Sequence, residues 1–144
     1  MRITIHAGES TSAEEVKQAI IELEAERLGH AVSAIDDPAV LELIRQRAVG
    51  IENCPTSNVQ TGVVPGYAKH PLPAYLRQDL LVTLNTDNPT ISGIDLPSEY
   101  KTLATESDLT GAELDRLQRN SVQVAFLSDD ERSELLSGIS GEAE

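Results

Sequence analysis

The sequence predicts an α/β fold in which consecutive strand–helix units lay their strands in one parallel sheet. Four short apolar runs centre near residues 5, 29, 50 and 82, with helical patterns between them. Three of these runs lead into a residue type that catalysis uses, His6, His30 and Asp87, at the strand end where parallel α/β folds collect their chemistry. A closed TIM-type (β/α)8 barrel takes about 250 residues, so a chain of 144 holds four units and not eight. The chain is therefore read as half a barrel, and residues 1–144 as one structural unit with no linker or low-complexity segment.

In chain order, Ile3 and Ile5 alternate with Arg2 and Thr4 and run into His6-Ala7-Gly8-Glu9, a strand that stops at a loop. Ser12 with Glu15 three residues later predicts a capping box. Val16, Ala19, Ile20 and Leu23 then form one apolar stripe, in a helix expected to end between Glu24 and Glu26. Residues 27–32 read as a buried strand. Asp37-Pro38 caps and opens the next helix, whose buried face is Val40, Leu41 and Ile44. Residues 48–53 form the third strand. The Pro, Thr, Ser and Asn of Cys54-Pro55-Thr56-Ser57-Asn58 open the longest irregular stretch, residues 54–70.

A short helix is expected from about His70 to Gln78. It is followed by the most strand-like run, Leu80 to Leu84, and the polar cluster Asn85-Thr86-Asp87-Asn88-Pro89. From residue 97 the pattern is helical, with capping boxes at Thr110/Glu113 and Ser128/Glu131 and an apolar face from Leu114, Leu117, Val124 and Leu127. Gly138 to Glu144 read as a frayed end.

A formal charge of −13, from 24 acidic and 11 basic residues, argues against nucleic acid and anionic membranes as partners, because both would be repelled. Cys54 is the only cysteine, which rules out an intrachain disulfide and points to a reducing, cytoplasmic setting. No apolar run approaches the roughly 18 residues of a membrane span, and no Walker-type or G-x-G-x-x-G loop is present.

Taken singly, each site residue has an ordinary structural reading. His6 can end a strand, Glu9 can sit in a loop, His30 can be a satisfied buried histidine, and Asp87 can initiate the Asn88-Pro89 turn. His70, before a proline at a helix start, is given a structural role. Those readings leave unexplained why His6, His30 and Asp87 recur at the same end of successive strands. A strand-end histidine can bind metal through neutral imidazole, and Glu9, three residues on, can move protons in the same cavity.

In order and separation, His6-Ala7-Gly8-Glu9, Gly29-His30, Cys54-Pro55-Thr56-Ser57-Asn58 and Asn85-Thr86-Asp87-Asn88-Pro89 resemble the adenosine deaminase family of zinc-dependent (β/α)8 hydrolases, which includes adenosine and AMP deaminases. The resemblance spans nearly the whole chain. It implies strands 5 to 8 and the C-terminal helices of the barrel, without the first-strand His-x-His zinc pair. It makes His6 and Asp87 ligands of Zn2+, with Asp87 also holding the attacking water, and it makes Glu9 the proton donor to purine N1. His30 would orient or deprotonate that water as it attacks C6, and Gly8 and Asn88 would lie against the substrate. Asn88 stands where the family usually has a second aspartate, so adenine or another 6-aminopurine stays open beside adenosine and deoxyadenosine. The other zinc deaminase class, with H-x-E and P-C-x-x-C ligands, needs more than one cysteine and is excluded.

The expected function is hydrolytic deamination to inosine and ammonia, by a chain inactive on its own because two protein ligands fall short of the three a catalytic zinc usually takes. The acidic balance favours a neutral nucleoside over a monophosphate. The alternative is a non-catalytic subunit. Either way, open strand edges and a row of apolar side chains left uncovered by the missing half predict association with a separate N-terminal half or with a second copy.

Overall fold

The computed structural model describes residues 1–141. Its strands are β1 (Thr4–Ala7), β2 (Arg27–His30), β3 (Gly50–Asn53) and β4 (Val82–Leu84). They form one parallel sheet in the order β1-β2-β3-β4, so each strand neighbours the next in sequence; among the described residues β1 and β4 have no strand on their outer side, where Asn120 Nδ2 donates to Val82 O at 2.9 Å on the β4 edge. The helices are α1 (Ala13–Ile21), α2 (Pro38–Gln46), α3 (Pro55–Gln60), α4 (Leu72–Arg77), α5 (Pro89–Ser92), α6 (Leu96–Glu106), α7 (Gly111–Val124) and α8 (Asp129–Gly141). Two 3-10 turns, Val32–Asp36 and Tyr67–Lys69, join them. Among the described residues no helix is long and apolar enough to cross a membrane.

Strand alternation sorts the residues. Leu28, Ile51 and Val82 are fully buried and pack with Val16, Ile20, Val40, Ile44, Tyr75, Leu103 and Leu117 in one core between sheet and helices. The register pairs Thr4 with Arg27, His6 with Gly29, Gly29 with Glu52 and Glu52 with Thr83, which puts these residues on the opposite face. That face is polar. Thr4 Oγ1 donates to Glu52 Oε2 at 3.1 Å and Arg27 pairs with Glu52 at 3.3 Å. The expectation of an uncovered apolar row is therefore corrected: the apolar alternates of every strand turn toward the helices, where they can be buried.

Local signals held where side chains could reach backbone donors. Asp37 accepts from Ala39 N–H at 2.9 Å with Pro38 in the first turn, and both later capping boxes form. Asp37→Ala should cost about 1 kcal/mol, read as a shift in the denaturant midpoint with unchanged slope.

Ser12 makes no side-chain cap at its exposed turn. Helix α1 stops at Ile21, before the expected end, because Glu24 takes a left-handed φ of 55° and Ala25 N–H turns back to Ala19 O. Leu23 is consequently 55% exposed instead of on the buried stripe. The stretch 54–70, expected to be irregular, contains α3 and a 3-10 turn. The predicted fraying from Gly138 does not begin there either, since α8 runs to Gly141; residues 142–144 lie outside the described residues.

Candidate metal and proton-transfer site

The site forms at the carboxyl ends of the strands. The register sets His6 beside Gly29, and a Cβ on Gly29 would lie 2.9 Å from His6 Cδ2, so the glycine makes room for the imidazole. Gly8, at φ +70°, turns the chain after β1. A Cβ there would run into Val16 Cγ2, and its N–H and C=O are both used internally, by Thr11 and Ser33. The turn brings Glu9 back over the site, with Oε2 3.8 Å from His30 Nε2.

His30 and Asp87 both adopt left-handed backbone, at φ 67° and 58°, and Ala31 follows His30 at 46°. Non-glycine residues hold such conformations only where their surroundings enforce them. After β2 the enforcement comes from buried donors. Asn53 donates to His30 O, and the Tyr75 hydroxyl lies 2.8 Å from Ala31 O and 2.9 Å from Val32 O. Beside Asp87, Ser57 Oγ donates to Oδ2 at 2.7 Å, which leaves the other carboxylate oxygen for another partner.

Among the described residues, one candidate metal cluster emerges: His6, His30 and Asp87 each offer a ligand atom, all within 4.8 Å of one another. The rings of His6 and His30 are tilted, 5.2 Å apart. A cleft of about 390 Å3 opens over the three residues, and a second of about 550 Å3 is lined by Glu9, Val32, Ile35, Val64, Pro65 and Ala74. Asn88 is exposed and caps α5 by accepting from Ile91 N–H. Cys54 has its thiol pushed up to about 12 by burial and then by Asp87, Glu99, Glu52 and Glu9, which keeps it a neutral, unreactive side chain.

Four residues at this site escaped sequence reasoning or were given smaller roles: Asn58, His70, Asn53 and Tyr75. Their sequence signal was the Ser57-Asn58 pair in a stretch read as loop, and a histidine assigned to structure. Asn58 is fully buried, with its Nδ2 3.1 Å from His30 Nδ1 and 3.3 Å from Glu9 Oε1, and its Oδ1 3.1 Å from His70 Nε2. His70 is lowered from its ordinary 6.5 to about 4, first by burial and then by neighbouring His30.

Unfolding releases His70 to its ordinary value. Between pH 6.5 and about 4 the unfolded chain therefore binds a proton that the folded chain excludes, and stability should fall as pH drops through this window while staying level with respect to His70 above it. Denaturant titrations should show that slope reduced in His70→Gln.

A sequence profile described as adenosine deaminase matches residues 1–142. The chain belongs to the adenosine deaminase family. It is 48% identical over 135 residues to the adenosine deaminase of Shewanella loihica, covering 94% of this chain and 41% of that protein. With the adenosine deaminase of Serratia proteamaculans it shares 43% over 141 residues, covering 98% and 42%. The chain thus spans about two-fifths of the length of these curated relatives.

Among solved structures, the adenine deaminase of Arthrobacter aurescens superposes with a TM-score of 0.93 at 30% identity, over 97% of this chain and 43% of that one. An amidohydrolase from Burkholderia ambifaria, solved with bound zinc, superposes at 0.90 and 22% identity, over 99% and 40%, a likeness of fold. The four-stranded parallel sheet is accordingly a half-barrel of the deaminase type, as the strand count and chain length predicted.

Proposed function

We propose that this chain is the C-terminal part of a zinc-dependent deaminase that converts adenosine or deoxyadenosine to inosine and ammonia, and that it acts once a complementary N-terminal half completes the site. The observation that carries the reading is the convergence of His6, His30 and Asp87 within 4.8 Å, with Glu9 Oε2 3.8 Å from His30 Nε2. Imidazole nitrogen and carboxylate oxygen are donors that zinc takes, so the set fits the metal, with His6 and Asp87 as the holders. When bound, zinc supplies Lewis-acid chemistry and brings the pKa of water toward 7.

The chain's own residues do the rest. Glu9 delivers a proton to purine N1, which makes C6 more electrophilic. His30, opposite Glu9, holds the attacking water by a ring nitrogen. Asp87, steadied by Ser57, takes that water's proton as the C6–O bond forms and passes it to the amine, which leaves as ammonia when the C6–N bond breaks, while the proton on the new C6 hydroxyl returns to Glu9. The mainly apolar cleft beside Glu9 suits the faces of a purine, and the acidic balance suits a neutral nucleoside. A cytoplasmic setting belongs to the same reading.

Two observations keep a second substrate in play: Asn88 offers an amide where the family usually has a carboxylate, and the Arthrobacter aurescens relative is an adenine deaminase. The non-catalytic alternative is a subunit that associates without turnover. One experiment separates them. The chain is mixed with a separately expressed N-terminal half carrying His-x-His from a curated relative, and ammonia release and zinc content are measured with adenosine, deoxyadenosine and adenine. Turnover by the mixture and not by the chain alone is expected. Zinc-loaded, stably associated halves that turn over none of these purines would favour the non-catalytic subunit, and efficient turnover by the chain alone would overturn the half-site argument.

A further inference from the structure

His70, Asn58 and His30 form a buried line whose hydrogen-bond direction is set from both ends. At one end the Leu72 backbone N–H, which can only donate, lies 3.1 Å from His70 Nδ1. That nitrogen must accept, so neutral His70 carries its proton on Nε2 and donates it to Asn58 Oδ1 at 3.1 Å. The depression of His70 to about 4 keeps it neutral at physiological pH.

At the other end, Glu9 Oε1 is an acceptor 3.3 Å from Asn58 Nδ2. Flipping the amide would set two oxygens against each other there and two donors against each other at His70. The amide therefore points its NH2 at Glu9 and His30, and His30 Nδ1, at 3.1 Å, accepts. A neutral imidazole has one N–H, so its place on His30 follows.

We propose that His70, acting through Asn58, fixes His30 as its Nε2-protonated tautomer, so that the ring nitrogen facing the site is a hydrogen-bond donor and neither a base nor a metal ligand. His70 and Asn58 are positioning residues in this scheme. The proposal deepens the deaminase reading and rests on it for the meaning of the donor, which would hold the oxygen of the attacking water. It also divides the three-residue cluster, since a nitrogen that carries a proton has no lone pair for zinc, and His6 and Asp87 are left as this chain's ligands. The tautomer requires no metal, substrate or second half, so it is measurable even if the deaminase reading fails.

The test is a two-bond 1H–15N correlation spectrum of the full chain with 15N-labelled histidine at pH 7.5. His30 and His70 should each show a pyrrole-like Nε2 and a pyridine-like Nδ1. In Asn58→Asp, where a carboxylate oxygen replaces the donor NH2, His30 should lose that pattern and gain a proton on Nδ1, while His70 keeps its own. In His70→Phe, which leaves the amide unaligned, His30 should show a mixture of tautomers. Added Zn2+ should shift His6 and leave the His30 Nε2–H in place. A pyrrole-like Nδ1 on His30 in the unsubstituted chain would overturn the proposal. So would a His30 pattern indifferent to both substitutions, or loss of its Nε2–H to zinc. A variant that fails to fold does not remove the test, because the spectrum of the unsubstituted chain decides the tautomer by itself.

Discussion

In the assembled barrel, Glu9→Gln should lower kcat for adenosine by about two to four orders of magnitude while the zinc content stays the same, the range by which a positioned acid accelerates a reaction. Glutamine matches the shape of glutamate, can still accept the Asn58 amide hydrogen now directed at Oε1, and cannot deliver a proton. Glu9 is not one of the metal holders, His6 and Asp87, which is why metal content should not follow activity. Asp87→Ala is the complementary case, in which zinc and activity should be lost together. Stoichiometric metal analysis beside steady-state kinetics on both variants checks the assignment. Metal loss in Glu9→Gln, or full zinc in Asp87→Ala, would exchange the two roles.

The second large effect is expected at a residue with no chemistry of its own. Glu99, 1% exposed on α6, accepts from Thr56 N–H at 2.8 Å through Oε1 and from the Thr56 hydroxyl through Oε2. Thr56 lies in the first turn of α3, so a carboxylate 43 residues away caps the helix that carries Ser57 to Asp87 and Asn58 to His30. Glu99→Ala should destabilise the fold by about 3 kcal/mol, because a buried N–H and hydroxyl lose a charged acceptor and a space is left behind. Glu99→Gln should cost only about 1 kcal/mol, since its oxygen can accept from Thr56 N–H and its NH2 can donate to the reoriented hydroxyl. Chemical denaturation measures both, and equal losses in the two variants would refute the capping role.

The fold was legible wherever its cause was local. Alternation and apolar runs placed all four strands, and their spacing gave sequential parallel order, because a strand's burial is written in its own residues. Capping residues located the starts of α2, α7 and α8. Where the outcome depended on competition, the reading slipped. Ser12 lost its cap at an exposed turn, and Leu23 fell past a helix that ended at the point where the chain had to reverse into β2. The stretch after Cys54 looked irregular because Pro, Thr, Ser and Asn are poor helix formers. It is helical because Glu99, Asp87 and His30 take up its polar groups.

The sequence by itself determined which residue types stand at the strand ends, the order in which His6, Glu9, His30 and Asp87 arrive there, and through them the family. These are facts of order and spacing, and a parallel sheet of consecutive βα units turns order into position. Only the tertiary structure decided what those residues touch. The contact between Asn58 and His30 spans 28 residues, and that between Glu99 and Thr56 spans 43. Neither has a periodicity that a linear reading could detect. The polar face left open by the half-barrel and the direction of the hydrogen bonds reaching His30 are settled by packing, because a side chain's partner depends on where its neighbours in space are buried.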